Sequence, residues 1–223
     1  QTDLLDLKAS FEDTATGVIL ESRIDKGKGP VSTVLVMNGN LQKGNYFVCG
    51  NTWGKIRAMI NDQGQSIDSA LPSTPVEILG MNSSAYAGDD FVVVDSEEKA
   101  KEINEYRVKD DKLKQAPIIT ANKESVFSDS DTPKELSIII KSDVHGSGEA
   151  IKTAIEKIKH KEVMPKIILS NIGVITETDV NLARTSNAVL IGFNVRPNKE
   201  AKKLAETHNV KIKFFNIIYE VLD

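Results

Sequence analysis

With a single cysteine, Cys49, the chain can form no internal disulfide and no zinc site built on several cysteines. Cys49 reads as a small apolar residue inside a strand, and the chain as one from a reducing compartment. Long hydrophobic runs are also missing. Val34–Met37 and Ser137–Ile140 are strand-sized, well short of the ~18 apolar residues that a membrane helix needs, so no membrane partner is expected. No signal-peptide pattern precedes the first polar residues. The three histidines, His145, His160 and His208, lie far apart without a second His or Cys at ligand spacing, so no metal site is nominated. Asp143 beside His145 has no nucleophile to serve, so no catalytic residue is nominated either. Strongly basic blocks are absent. Seven basic residues face twelve acidic ones up to Asp95, seven face nine from Ser96 to Pro133, and fourteen face eleven from Lys134 onward. Any contact with nucleic acid would therefore use a local patch.

What is present is an ordinary globular composition, 40% hydrophobic and 27% charged, over 223 residues, a length that suits two domains. The first block, residues 1–95, reads as β structure. Runs over Thr16–Asp25, Pro30–Met37, Tyr46–Cys49, Gly54–Ile60, Pro75–Leu79 and Asp90–Val94 are separated by turn signals such as Asp25-Lys26-Gly27-Lys28-Gly29-Pro30 and Asn38-Gly39. Short strands at close spacing without helical period predict a closed β-barrel. Residues 96–133 form a charged helix and linker. Ser96 is a candidate N-cap, the helix to Gln115 is polar enough to be solvent-exposed, and Ala116–Pro133 has a linker composition.

The third block, residues 134–223, alternates strand and helix. Leu136–Ile140, Ile167–Leu169, Val189–Phe193 and Val210–Phe215 are the strands. Gly146–Lys159, a helix opened by a Thr176/Asp179 capping box, and a helix with Pro197 at its first position and Asn209 at its end lie between them. A further helix starts within Asn216–Asp223. This order predicts a three-layer α/β/α domain around a four-stranded parallel sheet.

Two constellations stand out. Arg23, Lys26 and Lys28 surround a glycine-rich turn, and Lys43, Lys55 and Arg57 occupy later turns and strands. Such residues neutralise phosphates without reading bases, which makes them candidate RNA-binding residues; scattered solvated charge is the competing reading. The second is the strand-to-helix loop Ser142–Gly148. Its Gly146–Gly148 stretch could serve a small-molecule or phosphate-binding α/β module, or simply a tight turn, since it has neither a P-loop nor a full dinucleotide fingerprint.

Several segments are similar to bacterial translation initiation factor two. GKGPVSTVLVMNG (Gly27–Gly39) and STPVEILGM (Ser73–Met81) resemble the barrel that follows that factor's GTPase domain. KSDVHGSGEAI (Lys141–Ile151), SNIGVITETDVNLA (Ser170–Ala183) and GFNVRP (Gly192–Pro197) resemble its next domain, and KFFNIIYEVLD (Lys213–Asp223) that domain's end, entering a connecting helix. His145 and Gly148 depart from the pattern. The resemblance implies an internal, non-catalytic piece, consistent with Gln1 as a first residue. The GTPase domain, with its GTP and magnesium, and the terminal tRNA-binding barrel would lie outside it, and no cofactor is expected here. It further implies a monomer in the cytoplasm of a bacterium, or in an organelle, with the small ribosomal subunit and its rRNA as partners. The barrel would rest on rRNA while the α/β domain relays changes from the GTPase domain toward the initiator-tRNA end. Loops at the strands' C-terminal ends are the candidate relay surfaces: Asp143, Gly146, Gly173, Thr176, Glu177, Asn194 and Arg196. A purely structural spacer would instead show no affinity for RNA.

Overall fold

A computed structural model describes residues 8–25, 27–115, 134–158 and 163–222. The chain divides into two compact units, Gln1–Pro117 and Ile118–Asp223.

The first unit contains β1 (Thr16–Asp25), β2 (Gly29–Asn38), β3 (Leu41–Gln42), β4 (Tyr46–Cys49), β5 (Thr52–Ile60), β6 (Ser66–Ile67), β7 (Ser69–Ala70), β8 (Pro75–Met81) and β9 (Asp90–Val94). Neighbouring strands run β4-β9-β1-β2-β8-β5, and β5 pairs back onto β4. Six antiparallel strands thus close on themselves, and closure removes the unpaired edges an open sheet would expose. Alternation turns Ile19, Val34, Phe47, Ile56, Ile78 and Phe91 inward, all essentially without solvent contact. The Phe47 and Phe91 rings stack at the centre, 4.8 Å between centroids and 30° between planes. Burying a side chain of that size contributes roughly 1.5–3 kcal/mol.

Glycine makes the closure between β5 and β8 possible. A Cβ on Gly80 would lie 1.9 Å from the Lys55 carbonyl oxygen, and one on Gly54 would lie 2.3 Å from the carbonyl oxygen of Gly80. The register shifts here, between Gly54 and Ala58, and Gly80 adopts φ +119. Lys55 and Arg57 lie exposed within this irregular stretch, on either side of the buried Ile56.

Helix α1 (Glu97–Gln115) packs on the barrel, a correction to the solvent-exposed helix expected from its charge. Ala100 is fully buried. An Arg107 Nη1 donates to the Gly50 carbonyl at 3.0 Å, Asn51 donates to Asp111, and the Lys101 ammonium lies 5.2 Å from the Trp53 ring centroid. The Lys99 amide donates to Ser96 Oγ at 3.3 Å, as an N-cap requires. Directed polar contacts replace the missing apolar stripe, which is why periodicity gave no warning. The linker reading over Ala116–Pro133 lies outside the described residues.

The second unit runs β10 (Lys134–Ser142), α2 (His145–Glu156), β11 (Val163–Ile172), α3 (Glu177–Thr185), β12 (Val189–Phe193), α4 (Lys199–Thr207), β13 (Ile212–Phe215) and α5 (Ile218–Leu222). The strands pair in parallel in the order β11-β10-β12-β13. Ile138 and Ile140 pack with Ile151 and Ile155 of α2 and the partly buried Ile218 of α5. Ile139, turned to the other face, packs with Val180 and Ala183 of α3 and Ala201 and Ala205 of α4. The Ile138-Ile139-Ile140 run thereby feeds two cores, as a strand covered on both faces must.

Two local expectations shift. β11 is far longer than Ile167–Leu169, because as an edge strand it tolerates Lys166, Ser170 and Asn171 exposed between partly buried positions. α4 begins after Asn198, whose side chain accepts from the Ala201 amide at 2.6 Å, whereas Pro197 forms a parallel bridge with Ile175. Asn209 does leave the helix at φ +52.

Candidate functional site

Five of the six basic residues singled out on the barrel lie among the described residues, while Lys26 does not. The turn they flank is held by Asp25, whose Oδ1 accepts from the amides of Gly27 at 2.8 Å and Lys28 at 3.0 Å. These two amide hydrogen bonds, the Gly27 bond first, hold the Asp25 carboxyl below its ordinary range. Lys28 is exposed at the tip of the turn. Arg23 ion-pairs with Glu77 of β8 at 2.8 Å, so its charge is already partly answered on the barrel surface. Lys43 lies 3.9 Å from Asp68. Lys55 and Arg57 project from the same outward side of β5, and the Lys55 ammonium sits 4.9 Å from the ring centroid of Tyr46. Sequence reasoning missed Asp25 and Glu77, the two acids that organise this surface. Asp25 was detectable as an Asx residue opening a glycine turn, but Glu77 only once the barrel places β8 two strands from β1.

In the α/β unit the loops after β10, β11 and β12 interlock. The Gly173 amide, at φ +94, donates to the Ser142 carbonyl at 2.9 Å. The Ile175 amide donates to the Arg196 carbonyl at 3.3 Å, and the Asn198 amide donates back to Ile175 at 3.0 Å. Asn194 Nδ2 donates to Asp143 Oδ2 at 3.2 Å. The Arg196 guanidinium stacks over the Phe214 ring at 4.6 Å. Thr176 precedes α3, and both its amide and its hydroxyl donate to Asp179 Oδ2 at 2.8 Å, closing the capping box; Glu177 opens the helix, exposed. Asp143, Gly173, Thr176, Asn194 and Arg196 are thus parts of one laced end of the sheet, whereas Gly146 and Glu177 stand at its open rim.

Beneath that end lies a pair that sequence reasoning missed. Lys141 Nζ meets Asp179 Oδ2 at 3.2 Å, with side-chain exposures of 7% each. A lysine closing the apolar run of β10 was the available signal, since an ammonium is buried only with a partner.

Gly146–Gly148, expected in a loop, lie in the first turn of α2, and the stretch does not suit a phosphate. A Cβ at Gly148 would sit 2.7 Å from Ser142 Oγ, so this glycine lets α2 approach the sheet. Lys141 is engaged by Asp179, and the carboxylate nearest the loop, Asp143, would repel an anion.

Comparison with known proteins agrees with both units. The family profile described as Translation-initiation factor 2 matches residues 100–223, and that of Elongation factor G domain 2 matches residues 14–94. Translation initiation factor IF-2 of Pelagibacter ubique is 56% identical over 223 residues, covering the whole chain and 30% of that protein. The factor of the same name from Granulibacter bethesdensis is 47% identical over 228 residues, and this chain spans 25% of its length. GDP-bound aIF5B from Aeropyrum pernix shares the fold, with a TM-score of 0.55 at 21% identity over 99% of this chain and 38% of that one. The phosphate-module reading finds no support among these relatives.

Proposed function

The chain belongs to the translation-initiation factor 2 family, and from that premise we propose that its barrel docks on small-subunit ribosomal RNA while its α/β unit relays movement within the full-length factor. Its 223 residues match the non-catalytic domain 2 and IF-2 domain of a GTPase factor and do not include the GTPase domain. In the proposed setting GTP and magnesium are held by that other domain, initiator tRNA by a further one, and the factor works in the cytoplasm. This chain supplies docking and stiffness.

One observation carries the relay reading: the three loops at the C-terminal end of the sheet are tied to one another through Ser142, Asp143, Ile175, Asn194 and Arg196. Loops laced in this way move as one body with the sheet, so a push on one is delivered to the others without loss to local bending. The docking reading rests on Lys28 at the tip of a turn whose shape Asp25 fixes, with Arg23 at its base and Lys55 and Arg57 on β5. A pre-shaped turn gives up little entropy when its lysines meet phosphates.

Binding of the 223-residue chain to isolated small ribosomal subunits tests docking. If Arg23, Lys26 and Lys28 neutralise about three phosphates, log affinity should fall with log salt at a slope of roughly −2 to −3. Changing all three to Glu should weaken binding and flatten that slope while circular dichroism stays unchanged. Equal affinity of the folded triple variant at low salt would sink the docking reading. For the relay, Asn194→Asp in the full-length factor places like charges against Asp143. It should reduce the dependence of initiator-tRNA affinity on the bound nucleotide, leaving nucleotide affinity itself untouched.

A further inference from the structure

Among the described residues β13 is an open edge of the parallel sheet, paired with β12 alone. The Leu190 amide donates to the Lys211 carbonyl at 3.0 Å, and the Asn194 amide donates to that of Phe215 at 3.0 Å. Backbone groups alternate in direction along a strand, so the amides and carbonyls of Ile212 and Phe214 point away from β12, toward the free side. Beside that edge runs a groove of about 780 Å³ whose floor is apolar, formed by Ala205, Val210, Ile212 and Phe214. Its rim is cationic. Arg196, Lys202 and Lys211 face a single acid, Glu206.

We propose that this edge accepts an acidic extended segment of a partner protein as a fifth strand of the sheet. Its backbone pairs with Ile212 and Phe214, apolar side chains at alternate positions settle on the groove floor, and carboxylates at the two ends of that same row lie against the rim cations Lys202, Lys211 and Arg196. Each part of the groove answers one part of such a segment: unpaired backbone groups confer affinity, and a pocket beside the edge selects alternate side chains. The excess of positive charge on the rim selects the sign of the partner. RNA is the poorer match. The Arg196 guanidinium lies 4.6 Å from the centroid of Phe214, the only aromatic ring of the floor, and competes for the ring against which a base would stack.

A fluorescein-labelled nine-residue peptide with glutamate at positions 1 and 9, valine at 3, 5 and 7 and threonine between them, so that glutamates and valines share one face, is the probe, used with the intact 223-residue chain. Saturable binding is expected, with amide exchange at Ile212 and Phe214 slowed at least tenfold at saturation. Lys202→Glu with Lys211→Glu should weaken binding at least tenfold with the circular dichroism spectrum unchanged. A peptide N-methylated at the amides on one edge keeps the charges and loses the strand pairing. Methylating the peptide edge that faces β13 should weaken binding at least tenfold while methylating the opposite edge leaves it unchanged, and equal binding by both methylated forms would overturn the proposal. Absence of peptide binding to the folded chain, equal binding by the charge-reversed variant, or unchanged exchange at Ile212 and Phe214 would each overturn the proposal. So would a labelled oligouridylate that binds in a Lys202- and Lys211-dependent way where the peptide does not, assigning the groove to RNA.

Discussion

Lys141 and Asp179 meet at 3.2 Å inside the α/β unit, each with 7% of its side chain exposed, and the same carboxylate oxygen also receives the amide and hydroxyl of Thr176. One acid therefore fastens the central strand β10 to the first turn of α3 and shapes the loop that enters it. Removing one partner leaves a buried charge without an answer, which costs about 3–5 kcal/mol. Asp179→Ala should lower stability by that amount in urea unfolding. Lys141→Met combined with Asp179→Leu should recover much of it, because a packed apolar pair often matches a buried ion pair, leaving a residual loss of about 1 kcal/mol from the vanished cap. A loss below about 0.5 kcal/mol for Asp179→Ala, the range of surface substitutions, would show that water answers the lysine.

The Asp25 carboxylate, held by the Gly27 and Lys28 amides, should titrate below the ordinary aspartate value. A carboxyl whose folded value is depressed stabilises the fold above its unfolded value, and that contribution disappears as pH falls through the folded one. Carbon-detected NMR titration should place the Asp25 midpoint below the ordinary aspartate value, and Asp25→Ala should accelerate amide exchange at Gly27 and Lys28. A midpoint at or above the ordinary value would mean the turn is not held this way.

Burial pushes the Cys49 thiol up to about 12, with the nearby Asp89 charge adding to the shift. A thiol needs its thiolate form and access to react, and the folded barrel withholds both. At pH 8 an aromatic disulfide reagent should leave the native protein unmodified for hours and label it at once in denaturant. Rapid labelling without denaturant would place Cys49 at an opening of the barrel.

Local patterns made much of the fold legible. The Thr176/Asp179 box, the Asn209 helix end and the triple isoleucine of β10 are short-range signals that depend only on period and capping chemistry. Pro197 misled because an X-Pro step fits both a helix start and an extended bridge, and here the isolated bridge to Ile175 in the loop after β11 decides. The candidate sites were legible as lists of charge, but their state was not. Whether Arg23 is available depends on Glu77, and whether Lys141 is available depends on Asp179, and both partners arrive only through tertiary pairing. The docking of α1 stayed hidden for the same reason, since Arg107 and Gly50 are joined by a contact no periodicity encodes.

Gly80 offers the sharpest test of how the barrel closes. Its φ of +119 lies where side chains are rarely tolerated, and an added Cβ would stand 1.9 Å from the Lys55 carbonyl oxygen and 2.3 Å is all that separates the corresponding Cβ on Gly54 from the Gly80 carbonyl. Both obstacles are backbone atoms, so no side-chain rotation relieves them. Gly80→Ala must either keep the strained conformation, at a cost of order 1–3 kcal/mol, or pull β5 and β8 apart at the bulge. Separation would also loosen the strand carrying Lys55 and Arg57. Urea unfolding should therefore show a loss of at least about 2 kcal/mol, well outside the ~0.5 kcal/mol typical of surface changes. Gly64→Ala is the matched control, because it shares a positive φ of +77 but has nothing within 4 Å of its Cβ position. Its loss should be smaller, about 1 kcal/mol, from conformation alone. Equal losses at the two glycines would mean that φ, and not the approach of β5 to β8, explains the glycine at position 80.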